Sequence, residues 1–187
     1  MPFNTYKNKL QALKNCKKII KETKCDGIKL EGGSKVKDII KHLVNNKIPV
    51  MGHIGITPQS QRGRFRYKGK TEKEKKNLLK DSKILEEAGV FAIVLECIEK
   101  KLSKKITETI EIPTIGIGSS KFCDGQILVL DDLLGLTNSK IKFVKKYANF
   151  KSNIRNAVKK FGSDVKRGIS IIKAFLLKIL FKFLINF

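Results

Sequence analysis

The ionisable side chains of this chain sit where short apolar runs end. "DGIKLE" (26 to 31) closes on Lys29 and Glu31, "IPVMGHI" (48 to 54) carries His53, and "VFAIVLE" (90 to 96) closes on Glu96. "IPTIGIG" (112 to 118) runs into Ser119 and Ser120, and "QILVLD" (126 to 131) into Asp131 and Asp132. Each group taken singly has a plain structural use. Glu96 suits the positive end of the following helix dipole, His53 could be satisfied by backbone, and Lys29 with Glu31 could be a rim ion pair. Together they mean more, because the carboxyl ends of parallel strands share one rim and charge gathered there without a ligand or partner is costly. The glycines of "GHIGITPQS" and "IGIGSS" let backbone pass close to an anion or a flat substrate. There is no GxGxxG fingerprint and no Walker loop, which disfavours enzymes built on nucleotide cofactors.

The elements that must position these groups alternate. The five apolar runs are rich in Ile, Val and Leu and are bounded by Gly, Pro, Asn or Asp, which predicts strands. Helical patterns lie before and between them. One covers about 7 to 24. A second, 34 to 46, has Ser34 as its N-cap and Val36, Ile39, Ile40 and Leu43 at helical spacing. A third, 71 to 88, opens with a Thr71/Glu74 capping box and stops at Gly89, and a fourth spans 99 to 110. Apolar strands separated by single helices are βαβ units with a covered parallel sheet. That rhythm fits an open doubly wound sheet and a (β/α)8 barrel equally.

Bulk composition narrows the class. At 187 residues and 41% hydrophobic, the chain is about one domain long and globular. Its net charge of +23 comes from lysines scattered along every segment, without aromatic interleaving, so nucleic acid is not the expected partner. Cys16, Cys25, Cys97 and Cys123 form no CxxC pair, and the N-terminal stretch has no apolar run, which together point to a reducing, cytoplasmic setting. Residues 140 to 167 read as helical and lysine-rich. The last 19, 169 to 187, are apolar apart from Lys173, Lys178, Lys182, Ser170 and Asn186. That tail could lie on a membrane, pack on a partner subunit, or be a frameshifted end; three lysines make a single span the poorest reading.

Read in order, "MPF", "IKLEGG", "MGHIGITPQS", "YKGK", "LEEAG", "VLECI", "IPTIGIGSS" and "CDGQILVLDDLLGL" resemble ketopantoate hydroxymethyltransferase from Met1 to about Gly168. The resemblance implies a (β/α)8 TIM barrel of the phosphoenolpyruvate-binding superfamily, with residues 1 to 168 as a partial barrel plus C-terminal helices. It implies transfer of a hydroxymethyl group from 5,10-methylenetetrahydrofolate to 3-methyl-2-oxobutanoate in pantothenate synthesis, with Mg2+, in a decameric homo-oligomer. Such chemistry needs a base to remove the proton beside a ketone and a cation to hold the enolate. A 2-oxo acid offers Mg2+ its carboxylate and keto oxygens. By resemblance Glu96 is the proton acceptor, Lys29 and His53 contact the substrate, and Glu31 belongs to the magnesium site.

The departures from the pattern shape the expectation. Family members carry three more strands ahead of the segment that begins at Met1, roughly 90 residues at ~30 per βα unit. Two aspartates that serve magnesium belong to that part, one directly before Met1. About five of eight strands are therefore expected here, and the chain alone should have little activity. The tail, where the family ends in a polar segment, reads as a frameshifted end. Two other classes compete: a non-catalytic basic protein of membrane surfaces, and a related barrel enzyme acting on another 2-oxo acid. "GHIGITPQS" speaks against the latter.

Overall fold

Alternation within each strand decides what the sheet can be packed against. A computed structural model describes residues 1–60, 66–138 and 141–169, and these fall into two compact units, Met1–Ile127 and Leu128–Phe187. In the first, α1 (Lys9–Thr23) precedes β1 (Ile28–Lys29). A 3-10 turn (Ser34–Val36) then leads into α2 (Lys37–Asn45), β2 (Val50–Gly55), α3 (Glu72–Glu87), β3 (Ala92–Glu96), α4 (Lys100–Thr109), β4 (Thr114–Ile117) and β5 (Gly125–Gln126). All neighbouring strands pair in parallel, and the sheet order is β1-β2-β3-β4-β5.

That order settles what periodicity left open. A doubly wound sheet reverses direction at a switch point and takes helices on both faces, whereas a barrel wall winds one way. Here the order never reverses. Register puts Ile28 beside Val50, and Gly52, Ile93 and Thr114 in one row, with Ile54, Leu95 and Gly116 two residues on. These rows share a face. A single apolar cluster joins Ile28, Leu30, Val50, Ile54, Ile93 and Leu95 from that face to Ala12 and Cys16 of α1, Ile40 and Leu43 of α2, Leu78 and Leu85 of α3, and Leu102 and Ile106 of α4. All four helices thus cover one face, as in the outer layer of a TIM barrel of which five adjacent strands are present. At ~25 cal/mol per Å2 of apolar surface, this cluster is the main source of stability in the unit.

Local chemistry starts and stops the helices. Asn8 accepts the Gln11 N–H at 2.9 Å to open α1, and Lys24, in a left-handed conformation, closes it. Thr71 accepts the Glu74 N–H at 3.2 Å to open α3, while the Glu74 carboxylate reaches back to the N–H groups of Gly69 and Lys70, both at 3.1 Å. Glu74 also pairs with Arg66, whose guanidinium holds its carboxyl down at about 2. Glu99 opens α4 through the Leu102 N–H at 3.0 Å.

Three expectations about elements change. Ser34 does not cap its helix through its side chain: residues 34–36 form a 3-10 turn, and the Ser34 N–H is taken by Asp81 from α3. The fifth strand spans only Gly125–Gln126, because Leu130–Leu133 turns into a short helix, α5. Asp131 and Asp132 therefore stand on a helix, not at a strand end. In the second unit the helix expected over 140 to 167 is α6, Phe150–Lys166, opened by Asn149. Gly135 has φ +66 and lies against the Ala148 carbonyl, while Tyr147 and Phe150 donate to the carbonyls of Leu133 and Leu134 at 2.8 and 3.0 Å. The lysine-bearing tail from residue 170 onward lies outside the described residues. No helix among the described residues is long and apolar enough to cross a membrane.

Burial also orders the thiols. Cys16, Cys97 and Cys123 are buried and Cys25 is half-buried, with no disulfide among them. Burial pushes the Cys97 thiol up to about 11, with the Glu96 carboxylate adding to it, and raises Cys16 as well. Only the thiolate alkylates. Brief iodoacetamide treatment of the native chain at pH 8, mapped by mass spectrometry, is expected to modify Cys25 well ahead of Cys97 and Cys16; equal labelling of Cys97 would contradict this burial.

Candidate active site

Register delivers the charged groups to one place. Lys29 pairs with Met51 and Met51 with Ala92; two residues on, His53 pairs with Val94, and Gly55 with Glu96. These rows occupy the sheet face opposite the helices. Lys29, Glu31, His53 and Glu96, which the register places in alternate rows along three adjacent strands and their ends, therefore share that face. Backbone continues the alignment beyond β1: Leu30 donates to the Met51 carbonyl at 3.1 Å and Gly32 to the His53 carbonyl at 3.0 Å.

His53 is the centre. Its side chain is 1% exposed, with Glu31 Oε1 3.6 Å from Nδ1, Lys29 Nζ 3.4 Å from Nδ1, and Glu96 Oε2 3.1 Å from Nε2. An ammonium can only donate, so Nδ1 accepts from Lys29 and the imidazole proton is assigned to Nε2, facing Glu96. Nε2 is nevertheless without a directed hydrogen bond, since Glu96 stands close but off its N–H axis. The Glu96 side chain is 19% exposed against 6% for Glu31. Glu96 thus keeps an open side toward solvent or a ligand.

Glu31 is held differently. Its Oε2 accepts the Gln59 N–H at 2.9 Å, and Tyr6 donates to its backbone carbonyl at 3.5 Å. Burial, with the Glu31 charge adding to it, raises the Tyr6 phenol above its usual range, so Tyr6 stays a donor. A cleft of about 690 Å3 opens beside Glu31, lined also by Tyr6, Gly33, Ser34, Asn77 and Asp81.

The turn after Glu96 is fixed by groups that sequence reading did not assign. Cys97 has φ +50, an uncommon conformation for a residue with a side chain. Ser119 bridges that turn, donating to the Leu95 carbonyl at 2.6 Å and accepting the Ile98 N–H at 3.1 Å. Ser119 was legible as a rim residue, but its hydroxyl serves backbone. Gln59 and Asp81 were not legible, because their partners lie 28 and 47 residues away.

The residues present do not assemble a magnesium site. Mg2+ asks for near-octahedral oxygen ligation, usually with one or two free carboxylates. Glu31 offers one carboxylate, with one oxygen already bound to Gln59, and no group of three His, Cys, Asp or Glu residues among the described residues could hold a metal.

Comparison with known proteins gives the family. A family model described as ketopantoate hydroxymethyltransferase matches residues 1–169. The chain belongs to the ketopantoate hydroxymethyltransferase family. It is 59% identical to the 3-methyl-2-oxobutanoate hydroxymethyltransferase of Pelagibacter ubique over 167 residues, covering 89% of this chain and 65% of the relative. The proteins of the same description from Clostridium kluyveri and Helicobacter pylori are 53% and 50% identical, each covering 90% of this chain and 62% and 63% of theirs. The chain thus spans less than two thirds of the length of the relatives it matches. A solved dihydrodipicolinate synthase is similar at a TM-score of 0.43 and 17% identity, over 61% of this chain and 42% of that one.

Two measurements check the site as built. Gly55 has φ +101, and a Cβ there would strike the Glu96 carbonyl and come within 2.8 Å of Ile98. Gly55→Ala is expected to cost roughly 3 kcal/mol or more in urea unfolding. Gly162→Ala, where a Cβ meets nothing within 4 Å in the middle of α6, should be neutral or stabilising by up to about 1 kcal/mol. Equal effects would show that Gly55 is not held against the Glu96 backbone. Calorimetric titration of the chain with Mg2+ should show no saturable binding. A dissociation constant in the micromolar range, lost in Glu31→Gln, would overturn the ligation argument.

Proposed function

We propose that this chain carries the base and the oxo-acid-binding groups of a ketopantoate hydroxymethyltransferase site. The reaction joins 3-methyl-2-oxobutanoate, 5,10-methylenetetrahydrofolate and water to give ketopantoate and tetrahydrofolate. The observation that carries this reading is the meeting of Lys29 and Glu96 on the buried imidazole of His53, from three adjacent strands, in a chain of this family.

Each group has a task in that reaction. Glu96, whose carboxylate is not held in line, takes the proton from C3 of the oxo acid, and the electron pair of that C–H bond becomes the enolate. Lys29 sets its ammonium beside the developing oxyanion, where a fixed positive charge is worth most. His53 is a positioning group that holds Lys29 on one nitrogen and turns the other toward Glu96. Water hydrolyses the folate methylene, breaking both its C–N bonds to release tetrahydrofolate and formaldehyde; the enolate carbon adds to the formaldehyde carbon, and the C=O electron pair becomes an alkoxide that takes the proton back from Glu96 as the new hydroxyl. Glu31 accepts the Gln59 amide through Oε2 and stands on the Lys29 side of the imidazole. The magnesium implied by the family resemblance finds no group of three His, Cys, Asp or Glu ligands among the described residues, and no step is routed through it. Assembly as a homo-oligomer is part of the same reading and is checked by light scattering.

Two proteins test the proposal in an assay of hydroxymethyl transfer. One is the 187-residue chain; the other is this chain completed, in family order, with the portion of the Pelagibacter ubique relative that it does not match. The completed protein is expected to turn over and the chain alone to fall at least about a hundredfold below it. Glu96→Gln in the completed protein should lose about 100- to 10,000-fold in kcat, the usual worth of a positioned base. A folded, completed protein without activity, or one in which Glu96→Gln is harmless, would overturn the assignment.

A further inference from the structure

The turn that delivers Glu31 to the site is built of two glycines. Gly32 has φ +122, a conformation that L side chains rarely adopt. Gly33 has φ −90 and ψ −123. Its surroundings also leave no room for a side chain. A Cβ on Gly33 would fall on the Asp81 carboxylate of α3. That carboxylate lies against the Gly33 backbone and accepts the Ser34 N–H through Oδ1 at 2.9 Å.

The 3-10 turn at Ser34–Val36 has no cap from its own N-cap residue, which is Gly33. A helix start normally satisfies its first N–H groups from a side chain just before it. Here the acceptor comes from 47 residues further along the chain. We infer that Asp81 is a positioning residue for the site: by capping Ser34 across Gly33 it ties the Glu31–Gly32–Gly33 turn to α3 and so fixes where Glu31 stands. Asp81 touches none of the reacting groups. It acts on Glu31 through two peptide units, one of which, Gly32, is bonded to the His53 carbonyl at 3.0 Å. Both sides of the turn are then anchored, to β2 by Gly32 and to α3 by Ser34. The Asp81 carboxylate also forms part of the wall of the cleft beside Glu31.

The consequence for turnover rests on the functional reading above, whereas the positioning itself does not. Hydrogen–deuterium exchange of the full 187-residue chain, read at the Ser34 amide in peptides covering residues 28–36, measures it without substrate. Asp81→Ala is expected to speed exchange there by about fivefold or more, the effect of losing one hydrogen bond of ordinary strength, while β3 amides keep their wild-type rates. Asp81→Asn retains an acceptor oxygen at the same reach and should stay within about twofold of wild type. Gly33→Ala, whose Cβ would displace the same carboxylate, should speed exchange at least as much as Asp81→Ala. In the completed enzyme, Asp81→Ala should lower kcat/KM and Asp81→Asn should restore it. Wild-type exchange in Asp81→Ala, or exchange in Asp81→Asn as fast as in Asp81→Ala, would overturn the inference. If Asp81→Ala fails to fold, the Asp81→Asn exchange rate alone decides. An inactive completed enzyme with the expected exchange pattern would instead count against the functional reading.

Discussion

A buried imidazole holds the rim together. His53 is almost wholly removed from water, and a polar group in that position costs about 1–3 kcal/mol unless it has partners. Lys29 of β1 donates to it, and the Glu31 and Glu96 carboxylates, from the end of β1 and from β3, stand 3.6 and 3.1 Å from its two nitrogens. The side-chain period of two residues sends all four to the face that the helices leave free. A slip of one residue in either strand pair would turn Lys29 or Glu96 into the apolar cluster, where no partner exists for a charge. Register, burial and chemistry are therefore one constraint.

The outer face meets the opposite requirement. Ile28, Leu30, Val50, Ile54, Ile93 and Leu95 must find apolar cover, and α1 to α4 supply it from one side only. With helices on one face and strands in unbroken order, the other face is left to the polar groups. Close backbone approach at the rim then demands glycine where the sheet meets the site. Gly55 runs against the Glu96 carbonyl, and Gly33 against Asp81.

Much of this could be read from sequence. The strand ends carrying Lys29, His53 and Glu96 were marked by an apolar run closing on a charge, and the strings around them carry the family resemblance. Thr71 with Glu74 announced the start of α3 from local spacing alone. What escaped was set by distance along the chain. Nothing near Ser34 reveals that its amide is capped by Asp81, and nothing near Glu31 reveals the Gln59 amide. The fifth strand was overextended because "QILVLD" has the composition of a strand, while its second half is recruited into the α5 turn by the Leu133 and Leu134 amides donating to Val129 and Leu130. Asp131 and Asp132 were misplaced for the same reason.

In the proposed reaction Glu96 removes the C3 proton of a 2-oxo acid held at Lys29. Proton NMR of 3-methyl-2-oxobutanoate in D2O, with the completed protein and no folate, isolates that step from one-carbon transfer. Loss of the C3 proton signal, absent in Glu96→Gln and strongly slowed in Lys29→Met, is the expected result. Exchange that proceeds unchanged in Glu96→Gln, or that never occurs in a folded protein able to bind the oxo acid, would contradict it.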